Sequence, residues 1–282
     1  MPAPAERPFS RWPWPPALRA SLGLHAAAGM AALAVPGAWP WALGSVALNH
    51  VGLTAAGLWP RSRLLGPNVT TLPPTAVQRR QFVLTLDDGP DPEVTPAVLD
   101  VLDAAGAKAT FFVIAQRAAQ QPGLVREIVC RGHDVQNHSL HHRHDFSTRG
   151  PQALAQEIGG AQALLADLTG QAPHCFRAPA GLRNPLLDPV LHRLGLHLVS
   201  WTRRGFDTRD GDAARVLSRL IGSQARALAA GDILLLHDGH ARRTASGRPV
   251  LLDVLPGLLS AARDAGLHTT TLREALPART LP

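Results

Sequence analysis

Short apolar runs alternate with longer amphipathic stretches from Gln81 to the end of the chain. The runs Phe82–Leu86, Ala109–Ile114, Asp134–Asn137, Cys175–Arg177, His197–Trp201, Ile233–Leu236 and Leu267–Thr270 have the length and bounding residues of strands. Between them Thr95–Ala105, Gln116–Arg131, Pro151–Leu168, Leu186–Leu194, Ala213–Ala230 and Val250–Asp264 carry helical periodicity. Strands that alternate with helices predict a parallel sheet with crossover connections. About seven such units favour a closed or nearly closed (β/α) barrel over an open sheet. In that fold, polar functional residues gather at the C-terminal ends of the strands.

Before Gln81 the pattern is different. No charged side chain occurs between Ala20 and Trp59, and two apolar stretches, Ala20–Val35 and Ala38–Trp59, meet at Pro36-Gly37. Their 16 and 22 residues compare with the ~20 that span a hydrocarbon layer. Trp12, Trp14, Trp39, Trp41 and Trp59 fall near the turn and the outer ends, as an interfacial belt would place them. The expectation is a two-helix membrane anchor over 1–59, a linker rich in proline over 60–80, and a catalytic domain over 81–282. Two other readings stand beside it: a signal peptide cleaved after Ala32-Leu33-Ala34, and a soluble helical hairpin packed on the body. His25, Asn49 and His50, inside the two stretches, either mark function or, as expected here, face the protein or each other.

The net charge of +7 belongs to this first part. Residues 1–86 hold seven arginines (Arg7, Arg11, Arg19, Arg61, Arg63, Arg79 and Arg80) against Glu6 alone, a balance of +6, so the body is nearly neutral. That distribution excludes a basic nucleic-acid face on the body, and no nucleic-acid module is evident. Arginines outside both stretches, with none in the turn, place both ends in the cytoplasm by the positive-inside rule. The two cysteines, Cys130 and Cys175, are too few for a disulfide framework and are expected to be buried thiols.

The chemistry-bearing clusters fall at strand ends. Asp87 and Asp88 repel each other unless a cation or donors compensate, and their Leu-Asp-Asp-Gly-Pro setting equally suits a plain turn. His138 and His142 are four apart and would share one face of a helical turn, where they can grip one metal ion. One carboxylate with two imidazoles is a three-ligand set with open positions, which leaves the other carboxylate free as a base. Further clusters are Arg177-Ala178-Pro179-Ala180-Gly181, the segment Trp201–Asp210, and Leu234–Asp238.

Taken together, these segments resemble the five motifs of the polysaccharide deacetylase (NodB-homology, carbohydrate esterase family 4) domain, in order, over about Gln81–Leu276. Asp87-Asp88-Gly89-Pro90 resembles the end of TFDDGP, His138–His142 matches H[ST]xxH, Arg177–Gly181 matches RxPxG, and Leu234–Asp238 matches LxLHD. The resemblance implies a distorted (β/α) barrel of about seven strands after the helical hairpin. It implies one divalent metal ion, zinc by default with cobalt, nickel or manganese as substitutes, and hydrolysis of an acyl group from a sugar.

Carried over by position, Asp88, His138 and His142 hold the metal, and Asp87 is the general base. Arg177 orients Asp87, His237 is the general acid, and Pro179, Ala180 and Gly181 lie at the substrate and oxyanion position. The fourth motif, DxxDW, is degenerate here. Asp207-Thr208-Arg209-Asp210 matches DxxD literally, whereas counting from Trp201 puts Asp207 at the second aspartate and Thr208 at the tryptophan. Asp207 is taken as the residue that orients His237. The aromatic common in the third motif is Ala180 here, and the chain has no tyrosine. The two missing aromatics argue against a polymer lying in an aromatic groove.

The substrate expected is an N-acylated saccharide (acetyl, with formyl open), as a polymer or linked to membrane lipid. Arg183, Arg203, Arg204, Arg242 and Arg243 lie on loops around the expected mouth, open to phosphate contact or to plain solvation. His133, His141, His144 and His240 are taken as loop or supporting residues. An inactive glycan-binding protein on the same barrel is the alternative, opposed by the complete set of site residues. A non-haem iron site is disfavoured by the barrel and by the Asp87/His237 pair.

Overall fold

In a computed structural model, residues 12–223 and 226–278 are described. Arg7 and Arg11, two of the flanking arginines, lie outside these residues, as do Gln224 and Ala225 of the expected helix Ala213–Ala230. The body alternates β1 (Gln81–Asp87), α4 (Val94–Ala104), β2 (Ala109–Val113), α5 (Ala115–Gln120), α6 (Pro122–Cys130), β3 (Asp134–Asn137), α7 (Pro151–Thr169), β4 (Cys175–Phe176), α8 (Leu187–Leu194), β5 (His197–Leu198), β6 (Arg203–Arg204), α9 (Ala213–Ile221), β7 (Ile233–His237), α10 (Val250–Asp264), β8 (His268–Thr269) and α11 (Leu272–Ala275). Two helices, α1 (Pro16–Ala34) and α2 (Trp39–Leu58), and the short α3 (Pro74–Gln78) precede it.

Every strand pair is parallel, in the order β5-β4-β3-β2-β1-β7-β6, with β8 beside the start of β1. The two edges, β5 and β6, are consecutive in the chain. The expected single strand His197–Trp201 is thus one extended run that leaves β4 and arrives at β7, curling the sheet into the distorted barrel.

Strand alternation sorts the side chains into layers. Phe82, Leu84 and Leu86 of β1, Ala109, Phe111 and Val113 of β2, and Leu234 and Leu236 of β7 pack outward against the helices. Val83, Phe112, Cys175, Val199 and Ile233 fill the interior at one end. Above Val83 on the same inner face come Thr85 and then Asp87; above Ile233 come Leu235 and then His237. The apolar layers occupy the lower barrel, and the chemistry is left at the top.

Several elements differ from the sequence pattern. The helix expected over Gln116–Arg131 breaks into α5 and α6 at Pro122, which forces Gln121 out of helical geometry (φ −130°, ψ 53°). Helix α9 stops early at Gly222, whose φ of +74° suits glycine. Cys130 is exposed on the outer side of α6, not buried; Cys175 is the buried thiol.

Residues 60–80, expected as a linker, pack onto the barrel. Leu65, Leu72 and Ala76 are buried. Val69 donates its N–H to the Leu198 carbonyl and accepts from Ser200, and Leu72 donates to Gly231, which stitches the closing side. Prolines preclude a regular strand there, but single backbone bridges remain available.

Helices α1 and α2 form the hairpin, with Ser21, His25, Asn49 and His50 facing one another. Asn49 Nδ2 donates to Ser21 Oγ (2.8 Å) and the Nε2 atoms of His25 and His50 are 3.2 Å apart. Most other side chains of the pair are exposed, among them Met30, Leu33, Leu43, Leu48 and Val51. Among the described residues one helix, Pro16–Ala34, is long and apolar enough to cross a membrane. Helix α2 has the length but not the mean hydropathy of such a helix.

The hairpin base is clamped to the barrel. The Arg183 N–H donates to the Gly57 carbonyl, Arg183 Nη2 donates to Ser62 O (2.6 Å), and Trp12 Nε1 donates to Asp188 (2.8 Å). A side chain at Gly57 would meet the Arg183 carbonyl at 2.2 Å.

Candidate active site

A cavity of about 550 Å³ opens at the C-terminal ends of the strands, lined among others by Asp87, Asp88, His138, His142, Ala180 and His237. Asp87 is the last residue of β1, in register with Phe112 of β2 and His237 of β7. The chain then turns through Asp88 at φ +72°, which aims two successive carboxylates into one space. Gly89 is required here, because a Cβ would lie 2.2 Å from Asp238 Oδ2.

His138 and His142 meet in a loop, not in the helical turn the spacing suggests. Ser139 (φ +67°) and His142 (φ +51°) fold the segment back, and Ser139 Oγ accepts from the His142 N–H (3.0 Å). His138 Nδ1–H donates to the Arg177 carbonyl (2.9 Å), so its Nε2 presents a lone pair. Asp88 Oδ1 stands 3.3 Å from His138 Nε2 and 3.1 Å from His142 Nε2. Asp88 Oδ1 is also buried without a hydrogen-bond partner.

An orphaned carboxylate oxygen and two imidazole nitrogens, all within 4.8 Å of one another, form a donor set suited to a divalent cation. Burial opposes ionisation of Asp88, but contacts with His138 and His240 hold its carboxyl far below the usual range. Burial, aided by the neighbouring His138, pulls His142 down to about 4. Asp88 is therefore anionic and His142 neutral at pH 7, as coordination of a cation would require. Burial lowers His138, but the charges of Asp87 and Asp88 outweigh it and its net direction is upward.

Asp87 is 3% exposed, and its Oδ1 accepts from Arg177 Nη1 (2.6 Å). Arg177 is fully enclosed. It also donates to Thr85 Oγ1 and to the carbonyls of Val199 and Ser200, and it lies 4.0 Å over the Phe112 ring. Four of its five N–H donors are thus matched by a fixed set of acceptors, which holds Asp87 in one orientation.

Across the cavity, Asp207 Oδ1 accepts from His237 Nδ1 (2.9 Å) and its Oδ2 accepts from the His237 backbone N–H (2.7 Å). Asp207 is completely buried. Asp210 lies elsewhere, paired with Arg215 and Arg219. Burial lowers the His237 pKa, but the Asp207 hydrogen bond and charge outweigh it, and the net direction is upward. Pro179 is buried behind Ala180, whose backbone is left-handed (φ +54°) at the cavity wall. Gly181 packs beneath Trp201 and Pro60, where a Cβ would meet both within 2.7 Å, so Pro60, just past α2, packs against a residue of the cavity wall.

Residues that sequence reasoning undervalued also reach this centre. His240 Nδ1 donates to Asp88 Oδ2 (3.1 Å), and Arg117 bonds His240 Nε2 and the Asp88 and Gly239 carbonyls. The signal for His240 was its place three residues after His237. Arg117 had none, because α5 brings it in from 29 residues away. His141 pairs with Glu157 (2.9 Å), while His133 is buried under Phe111 and away from the cavity.

Comparison with known proteins gives a consistent result. The family model described as polysaccharide deacetylase matches residues 75–199. A chitooligosaccharide deacetylase of Bradyrhizobium sp. (strain ANU 289) is 39% identical over 162 residues, 57% of this chain and 72% of that protein. A peptidoglycan-N-acetylglucosamine deacetylase of Bacillus cereus is 32% identical, over 69% of this chain and 87% of its own length. Among solved structures, the family 4 carbohydrate esterase from Streptomyces lividans in complex with acetate superposes with a TM-score of 0.61. That pair shares 29% identity, over 72% of this chain and 97% of the other.

Proposed function

The chain belongs to the polysaccharide deacetylase family, and from that premise we propose that it hydrolyses the N-acyl group of an amino sugar at the Asp87/Asp88/His138/His142/His237 centre. The observation that carries the reading is the convergence of an orphaned Asp88 oxygen with two imidazole nitrogens. That triad is flanked by an Arg-held carboxylate on one side and an Asp-held imidazole on the other.

Asp88, His138 and His142 would hold the metal, with zinc as the choice the N/O donor set favours. A divalent ion so held lowers the pKa of water toward neutrality and polarises the acyl carbonyl. Asp87 accepts the proton of the attacking water, and Arg177 keeps that carboxylate turned toward the cavity. The Ala180 backbone N–H, at the cavity wall, would be the second donor to the developing oxyanion. His237, its Nδ1 committed to Asp207, delivers a proton from Nε2 to the departing nitrogen, without which an amine is a poor leaving group. Base and acid are separate residues with separate surroundings, so each keeps its own protonation state.

Asp207→Asn tests the acid. Asp207 raises the His237 pKa, and a general acid is active while protonated, so activity persists up to the folded pKa and falls above it. Removing the charge is expected to move the alkaline limb of the kcat profile to lower pH and to reduce kcat roughly 10²- to 10⁴-fold. An unmoved limb contradicts the assignment.

The substrate is an N-acylated saccharide in a glycan or on a lipid carrier. The lipid-linked form is supported by the exposed apolar hairpin, whose base at Pro60 touches the cavity wall at Gly181. The anchor over 1–59 and a cytoplasmic body are expected to give a fluorescent C-terminal fusion of a cytoplasm-dependent reporter. An active C-terminal fusion of a periplasm-dependent phosphatase would reverse the topology and favour a cell-wall glycan. The activity itself is tested by incubating zinc-loaded protein with an N-acetyl and N-formyl amino-sugar panel and measuring carboxylate and free amine together. Equal release of both is expected, and no release from any member overturns the reading.

A further inference from the structure

Five arginines stand near the expected mouth, and the structure separates them. Arg183 is spent on the Ser62 and Gly66 carbonyls, Arg203 on Asp232 and the Arg226 and Ala227 carbonyls, and Arg243 on Glu93. Arg242 is exposed and does not line the cavity.

Arg204 is different. It lies on β6 in register with Leu235, and both residues line the cavity with Asp87, Asp88 and His237. Its guanidinium carbon is 5.6 Å from the Trp201 ring and 5.1 Å from the Phe206 ring, within cation–π reach of both. Among the described residues no carboxylate pairs with it, and its Nε is buried without a hydrogen-bond partner. The carboxylates nearest in charge are already engaged: Asp87 by Arg177 and Asp207 by His237, while Asp88 belongs to the triad. Burial weakens the hold on its proton, which is the cost of carrying this charge away from water. With Asp207 at the second aspartate of DxxDW, Arg204 also occupies the position of the first. The chain has a cation where the family pattern has an anion.

We propose that Arg204 determines specificity by binding an anionic group, phosphate or carboxylate, that the amino-sugar substrate carries beside its acyl group. The inference rests on the hydrolase reading above and narrows its substrate to an anionic saccharide. A guanidinium fork confined between its contacts with Trp201 and Phe206 and without a carboxylate partner of its own can take two oxygens of such a group.

The test is a calorimetric titration of the zinc-loaded full chain in detergent with N-acetylglucosamine, N-acetylglucosamine 1-phosphate and N-acetylmuramic acid. At least one anionic sugar is expected to bind roughly tenfold to hundredfold more tightly than the neutral one. Arg204→Gln is expected to bring that ratio close to one while zinc loading stays at one per chain. A preference for phosphate assigns a sugar phosphate or a lipid headgroup, and a preference for carboxylate assigns a glycan acid; either supports the proposal. Equal binding of all three sugars by the wild type overturns it, as does a preference that survives Arg204→Gln. If that variant does not load zinc, Arg204→Lys decides: a point charge should keep only part of the preference, and an unchanged ratio overturns the proposal. Discrimination in binding without acyl release from any sugar would contradict the hydrolase reading alone.

Discussion

Asp87→Asn is expected to lower kcat/KM by roughly 10²- to 10⁴-fold, almost entirely in kcat, while zinc still binds one per chain. The side chain keeps its shape, but the amide cannot accept a proton, so the attacking water loses its base. Asp88, His138 and His142 are untouched, which is why the metal stays. The same change weakens the buried pair with Arg177, whose partners are 1% and 4% exposed. Breaking such a pair costs up to about 3–5 kcal/mol, and the asparagine carbonyl, which still accepts from Arg177, limits that loss. Turnover is therefore compared below the variant's own melting temperature. Normal turnover would mean that Asp87 is not the base.

His138→Ala is expected to remove both metal and activity. It deletes one of three ligands and also frees the Arg177 carbonyl that its Nδ1–H engages. Altering a group that merely orients a ligand costs metal affinity about 10- to 100-fold, and deletion of the ligand itself exceeds that. Native mass spectrometry of the purified chain measures the zinc content directly. A variant that keeps a full equivalent of zinc would take His138 out of the ligand set. The contrast with Asp87→Asn separates binding the metal from using it.

The centre was legible in the sequence because each of its parts is local. Asp87-Asp88 ends one strand, His138 follows another, and His237 ends a third, so strand order alone collects them at one rim. Asp207 was reachable by counting from Trp201, and its two bonds to His237 depend on β6 lying beside β7. What the sequence did not disclose depends on segments distant in the chain. Closure by the run His197–Arg204 requires knowing that one extended segment serves two edges. The packing of residues 60–80 was hidden because prolines signal a linker equally well when the segment is bound. His138 and His142 share a spacing with helical pairs, yet left-handed turns at Ser139 and His142 deliver the same convergence. Arg117 and Arg204 look like any surface arginine until α5 and β6 place them at the cavity.

The most direct test of the account is acetate release from an N-acetylated amino sugar by metal-stripped protein to which zinc is returned stepwise. No turnover is expected at zero zinc, then a linear rise that stops at one equivalent per chain, with His138→Ala flat throughout. Undiminished release by the stripped protein, or none at any zinc level with substrates the wild type binds, would contradict it.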